Sequence, residues 1–379
     1  MQRSILGLCR RANSSSRALS RRDASQVLAS AQAFLHQHLH LSRWNMQLYH
    51  RLPFAGTHTK RMDITKTKKN AAPPLNSEEP PDDFWFPSVY KNSTHRDGAI
   101  YENILLREEW FAFDINDRNE TRLEPMMFLK TTERCFYDQG YCFFHFPNHM
   151  LQIFSLTLVE CPITSGPLQL YGYIAVRDER DGMLNYVLNH SRDDPVSVQE
   201  GSLIEMTGPK RAINMVSSVL IEFDMRIKSG EQEDDDLQLI DGAIAFNDQR
   251  PWKPVKHRIA GQCGIVDISC AYLEDAVEAT IEVYISEIRE AFSLSLCSCI
   301  YVLENYEEVP LFQGTIHHSQ GLRRSVVAVK LDTDMLLKFK VGNDVIHYRT
   351  FKAKQHGCAS QKIELEFASL CVKVTWSTI

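Results

Sequence analysis

The segment Ser217–Lys228 reads S-S-V-L-I-E-F-D-M-R-I-K, and it limits the fold more than any other stretch of the chain. Val219, Ile221, Phe223, Met225 and Ile227 alternate with Leu220, Glu222, Asp224, Arg226 and Lys228. Only an extended strand turns that period into an apolar face and a polar one. The apolar face seeks a core. The other, with Glu222, Asp224 and Arg226, is expected to meet solvent.

The same alternation recurs along the body. Strands are predicted at Leu151–Val159, Leu168–Val176, Asn185–Asn189, Leu203–Met206 and Leu237–Phe246, with a weaker one at Pro195–Val198. Gly172 falls in mid-strand, which calls for a close backbone approach or a bulge. Thr164-Ser165-Gly166-Pro167 and Thr207-Gly208-Pro209-Lys210 read as turns. Short strands at this spacing, separated by Gly, Pro and Asp, point to an antiparallel sandwich. The pattern continues in Ala279–Ile285, Val327–Leu331 and Met335–Val341. Near the end Ile363, Leu365 and Phe367 are odd, whereas Leu370, Val372, Val374 and Trp376 are even, so a bulge or tight turn belongs at Ala368-Ser369. The expected fold class is all-β, one or two antiparallel β-sandwiches preceded by a basic, disordered or helical N-terminal extension.

Charge divides the chain unevenly. Residues 1–70 hold thirteen Lys/Arg against two acids, which leaves 29 basic and 46 acidic residues in the remainder, a net of −17. An acidic body is repelled by phosphate, so it is not expected to bind nucleic acid. Hydrophobic residues at 44% and charged residues at 24% suit a packed domain rather than wholesale disorder. Met1–Arg22 is rich in Arg and Ser and has no acid before Asp23, the composition of a mitochondrial or plastid transit peptide; the alternative is a basic tail on a cytoplasmic or nuclear protein. A helix is predicted over 24–50, with Val27, Leu28, Ala31, Phe34, Leu35 and Leu39 as its stripe. His36, His38 and His40 lie on it without a nearby carboxylate or thiol. Residues 57–100 form a Pro- and Lys-rich linker that includes the aromatic island Asp82–Pro87 and leads into a short helix over Ala99–Trp110. The body is 101–379, with a sub-domain boundary near 247–262. No apolar run is long enough to span a membrane as a helix.

Ten cysteines are scattered with no C-x-x-C pair, so free thiols are expected. Four N-x-S/T sequons, at Asn13, Asn92, Asn119 and Asn189, follow no secretory signal and are expected to stay unmodified. No nucleophile elbow, Walker loop, dinucleotide fingerprint or H-E-x-x-H motif occurs. His317, His318 and Ser319 share a Gly-bounded loop, which reads as a polar connection rather than a catalytic set. The acidic turns offer more chemistry. Arg177–Asp181 follows one strand and Glu231–Asp236 follows another. With the strands alternating up and down, both turns are expected at one end of the sandwich. There Asp178, Asp181, Asp234, Asp235 and Asp236 would supply the hard oxygens that calcium requires. Otherwise no cofactor is expected. Arg177-Asp178, Arg192-Asp193-Asp194 and Lys210-Arg211 are expected to form surface ion pairs across turns.

Several blocks carry a resemblance: Thr121–Phe128, Leu151–Leu156, Gly166–Gly172 with Ala175–Asp178, Asn189–Pro195, Leu203–Arg211, Leu273–Thr280 and Val374–Ser377. In this order they are similar to a plant domain of unknown function expanded in grasses, DUF6598, over roughly Arg107 to Ile379. The resemblance implies a grass protein and brings no established activity. Similar domains are associated with ribosome-inactivating N-glycosidases, whose helical E-A-x-R signature has its nearest text in Glu287–Ala291. That stretch departs from the signature and follows a strand pattern, so the activity is not carried over. The expectation is a non-enzymatic scaffold that binds a protein partner. The alternatives are a hydrolase or glycosidase with carboxylates distant in sequence, and a calcium-dependent binding module.

Overall fold

In the computed structural model the described residues are 88–89, 93–101, 114–125, 137–138, 141–142, 145–163, 166–216, 218–246, 253–342 and 345–378. All belong to the unit Glu78–Ile379. The helix expected at 24–50, His36, His38 and His40, the aromatic island and most of 99–110 lie outside the described residues.

A strand forms in each stretch where alternation was expected, though the one at Leu203–Met206 is cut to Leu203–Ile204, and Leu365 and Phe367 fall in the turn after Gly357–Glu364. Val219–Ile227 sits inside a six-stranded sheet of order Ser88–Val89, Leu237–Phe246, Val219–Ile227, Leu168–Arg177, Asn185–His190, with Val196–Val198 also paired to Leu168–Arg177. A nine-stranded sheet runs Gly357–Glu364, Ser369–Ser377, Ile265–Ser286, Asn148–Glu160, Leu203–Ile204; Ile265–Ser286 takes Val255–Ala260, Gln320–Gly321 and Ser325–Lys330 as further partners, and Asn148–Glu160 takes Ile213–Asn214. The four-stranded sheet has the order Asn305–Ile316, Phe292–Val302, Asp334–Val341, Val345–Lys352. The pairings between these strands are antiparallel. Ile221, Phe223, Met225 and Ile227 join one apolar core with Leu156 and Ile268 of the nine-stranded sheet and Leu296, Leu337 and Phe339 of the four-stranded sheet. Burying each such side chain contributes about 1.5–3 kcal/mol.

The 22-residue strand Ile265–Ser286 ties the body together. Its first part pairs with Asn148–Glu160 and its second with Ser369–Ser377. Val266, Ile268 and Cys270 are buried on even numbers, but Val277, Ile281, Val283 and Ile285 on odd ones. The register shifts between Leu273 and Ala276, where Asp275 adopts a φ of 47°, so a bulge reverses the phase without ending the strand. At Ala368-Ser369 the phase slip is a tight turn: Leu365 donates its amide to the Ala368 carbonyl at 2.9 Å, and Glu364 pairs with Ser369. The boundary expected near 247–262 falls partly outside the described residues. Beyond it Val255–Ala260 pairs with the start of the long strand.

Gly172 behaves as its mid-strand position demanded. Its φ is +107°, and a Cβ built there would lie 2.1 Å from the Asp224 carbonyl oxygen. Gly172→Ala is expected to destabilise the protein by about 2–3 kcal/mol through a backbone clash and a disfavoured conformation. Chemical denaturation of the variant measures this directly.

Candidate functional site

The polar face of Val219–Ile227 is not a solvent face. Glu222 is completely buried, because residues 93–101 and 114–121 lie over that side of the sheet. Ile100 and Ile115 from this segment pack on Leu220 and Ala243 in a second, smaller apolar cluster. The first expectation for Glu222 therefore fails: period two separates two faces but does not say that either is exposed.

A buried carboxylate must be paired, and Glu222 is paired on both oxygens. Its Oε1 accepts from Arg177 Nε. Its Oε2 accepts from Arg118 Nη1 at 2.6 Å and lies 3.3 Å from His95 Nε2. His95 is held from its other side by Asp241, with Nδ1 2.6 Å from Oδ1 and the backbone amide donating to the same carboxylate at 2.9 Å. Arg118 also donates to the Tyr173 hydroxyl at 2.5 Å. Arg177 spends its remaining donors on the carbonyls of Gly182 at 2.7 Å and Asp117 at 2.6 Å. Burial opposes ionisation of Glu222, but the His95 hydrogen bond and the Arg177 and Arg118 charges outweigh it and hold the carboxyl at about 2. Burial also opposes charge on His95, yet Asp241 and Glu222 raise its pKa. Burial pushes the Tyr173 hydroxyl up, so it stays a neutral partner. The group types suit acid–base chemistry, but the donors and acceptors are spent on one another. The cluster is a clamp that fastens His95 and Arg118, with the described residues around them, to the sheet.

The acidic turns behave in the same way. Leu220 pairs with Arg177 and Ile227 with Leu170, so the turn after Arg177 and the turn after Ile227 lie at opposite ends of the sheet. Seven residue steps separate them, roughly 23 Å of strand. The expected convergence of five aspartates does not occur, because adjacent antiparallel strands leave by opposite ends. Asp178 and Asp181 meet at one end, around Arg211. Arg211 donates to Asp178 Oδ2 at 2.6 Å and Oδ1 at 2.8 Å, and to Asp181 Oδ1 at 2.9 Å. Asn214 adds its amide to Asp178 at 2.8 Å. Arg211 and Asp178 are each 1% exposed, so this is a core ion pair and not the surface pair expected. Beside it the buried Glu278 accepts from the Ala212 amide and the Ser377 hydroxyl, both at 2.7 Å, and burial raises its pKa.

At the other end Asp234 and Asp235 are exposed on a short 3-10 turn, Glu233–Asp235, while Asp236 is buried. Arg192 occupies the mouth of that turn. It donates to Asp236 at 2.6 Å and to the carbonyls of Gly230 at 2.7 Å and Glu231 at 3.0 Å. Tyr171 donates its hydroxyl to Asp236 at 2.8 Å. The Arg192 hydrogen bond keeps the Asp236 carboxyl well below the usual carboxylate range. The cationic position that calcium was expected to fill is taken by a guanidinium.

His317, His318 and Ser319 are exposed in the connection between the four- and nine-stranded sheets. Glu287–Ala291 is a loop between strands, not a helix. The described cysteines are free thiols. A cavity lined by Gln152, Met206, Pro209, Pro310, Arg323 and Val326, among others, encloses about 20 Å³, room for a water molecule rather than a substrate.

Sequence reasoning missed two places. The first is the outer edge of the four-stranded sheet, where Val345, Ile346 and Tyr348 are 58%, 43% and 51% exposed. Alternating apolar residues in that strand look like any half-buried strand, and only the sheet order makes it an edge. The second is the meeting of Cys142 and His145 with His356. A search for C-x-x-C spacing passes over C-x-x-H.

A family model described as domain of unknown function (DUF6598) matches residues 150–374. No curated protein matches the chain. Among solved structures, human GIVD cytosolic phospholipase A2 in complex with methyl gamma-linolenyl fluorophosphonate aligns with a TM-score of 0.20 at 7% identity, over 61% of this chain. The chain spans about a third of that protein's length, 32%. A tandem pair of C2 domains from extended-synaptotagmin 2 aligns with a TM-score of 0.21 at 8% identity, over 68% of this chain and 98% of that one. Likenesses at that level carry no argument about function.

Proposed function

The chain belongs to the DUF6598 family, whose description names no activity, and from that premise and the exposed part of a sheet edge we propose that it is a scaffold binding an extended, acidic segment of a partner protein along Val345–Tyr348. The observation that carries this reading is the edge itself. Strands at sheet edges offer unpaired backbone groups and are usually guarded by charge, proline or a cover. The Thr350 carbonyl points away from Asp334–Val341 and accepts from the Gln361 side chain at 2.8 Å, and Arg349 donates to the Lys362 carbonyl at 3.2 Å, so Gly357–Glu364 covers that end of the edge and leaves Val345, Ile346 and Tyr348 exposed. Alternation in an antiparallel ladder aims the backbone groups of Tyr348 and Ile346 the same way. Their side chains stand beside Lys338 and Lys340 on the outer face, and Lys352 follows along the strand. An apolar stripe flanked by lysines, on a body that is otherwise acidic, suits a segment alternating apolar and acidic residues. Strand addition supplies the main-chain hydrogen bonds and alternate side chains supply the selectivity.

The test is selection of a displayed random peptide library against the full-length protein. Extended peptides alternating apolar and acidic residues are expected to be enriched, and Ile346→Pro is expected to bind them at least tenfold more weakly, because proline removes an edge donor and the apolar contact. Equal binding by Ile346→Pro, or no enrichment, overturns the reading. A wild-type dimer that Ile346→Pro dissolves would assign the edge to a second copy instead.

A further inference from the structure

We propose that Cys142, His145 and His356 form a site for one zinc ion. The ligating atoms of the three side chains all lie within 4.8 Å of one another. Cys142 Sγ is 3.0 Å from His145 Nδ1, and the rings of His145 and His356 are 4.7 Å apart, centroid to centroid. Around a tetrahedral zinc, with Zn–S near 2.3 Å and Zn–N near 2.0 Å, ligand atoms sit about 3.5 Å from each other. Small rotations of these side chains would therefore close the shell.

The ligands come from two distant parts of the chain, the C-x-x-H segment and His356, and one residue brings them together. Gln355, next to His356, accepts the Cys142 amide on Oε1 at 2.7 Å. Its Nε2 donates to the carbonyls of Cys142 at 3.0 Å and His145 at 2.7 Å. The carboxamide thus pins both ends of the C-x-x-H segment against the residue that supplies the third ligand. Ligands placed in advance by a second layer of hydrogen bonds are what a tight metal site requires. Cys142 and His145 are each 1% exposed and His356 is half-buried, so the cluster borders solvent on the His356 side.

The donor chemistry selects the metal. A thiol and two imidazoles are soft and borderline donors, which favour zinc over calcium or magnesium. On binding, the Cys142 thiol gives its proton to solvent as the Zn–S bond forms, and no electron is transferred. The ion would cross-link residues 142–145 to the C-terminal part of the body.

The experiment uses the full-length protein, stripped with a chelator and titrated with zinc alone against a competing indicator. One equivalent per chain is expected to bind, with a rise in melting temperature that saturates at that point. Cobalt-substituted protein is expected to show a thiolate charge-transfer absorption that Cys142→Ser abolishes. His356→Ala is expected to lose stoichiometric binding, and Gln355→Ala to bind about 10–100-fold more weakly, as for a second-layer partner. Cys371→Ala, exposed on Ser369–Ser377, is expected to match the wild type. A wild type that binds no stoichiometric zinc, or a cobalt spectrum without the thiolate band, overturns the proposal. So does zinc binding unchanged in Cys142→Ser and His356→Ala. The wild-type stoichiometry and spectrum decide the matter even where a variant fails to fold.

Discussion

Glu222→Gln is expected to destabilise the protein by about 3–5 kcal/mol at neutral pH, because it leaves the fully buried Arg177 guanidinium without its counter-charge. Denaturant titrations of wild type and variant supply the number, and a loss below about 1 kcal/mol would mean that the clamp is not formed. The pH dependence is a sharper signature. The Glu222 carboxyl is lowered from 4.5 to about 2, so the stability it adds is present above 4.5 and is lost as the pH falls toward 2. That shift corresponds to about 3 kcal/mol. His95 has the opposite sign. Its pKa is raised from 6.5, so its contribution is complete below 6.5 and is lost as the pH rises through the folded value. Stability measured against pH is expected to decline on both sides of a maximum. Glu222→Gln should flatten the acid limb, and His95→Gln the alkaline limb.

Arg211→Met is expected to cost a similar 3–5 kcal/mol, now by stranding Asp178 and Asp181. Asp178 is 1% exposed and bridges Arg211 to the Asn214 amide, so it holds the turn after Leu168–Arg177 against the strand Ile213–Asn214 of the nine-stranded sheet. Asp178→Asn in the Arg211→Met background should recover part of the loss, because the variant no longer buries that lone carboxylate. If the double variant is the sum of the two single ones, the groups do not interact and the ion pair is not what joins the sheets.

Local features of the sequence were read correctly where the physics is local. Alternation marked Val219–Ile227, Leu237–Phe246 and Asp334–Val341 as strands, since side-chain parity follows from backbone pleating alone. Gly172 announced a close approach, and the change of parity at Ala368-Ser369 announced a turn. The all-β class follows from such local signals. The long strand was seen only in its second part, because the bulge at Asp275 breaks the parity that a periodicity search relies on.

Glu222, the aspartates and the Cys–His cluster depended on facts that no window of sequence contains. Parity put Glu222 opposite the core, but its burial comes from Ile100, Ile115 and Arg118, about a hundred residues upstream. The placement of Asp178 and Asp236 at opposite ends follows from the direct pairing of Leu168–Arg177 with Val219–Ile227. One strand more or fewer between them reverses that result. His356 reaches Cys142 only because Gln355 bridges 213 residues of chain. The pleat is a property of the chain segment and is written in it. Which charge meets which, and which face is covered, depends on contacts between segments, and those are fixed only when the sheets pack.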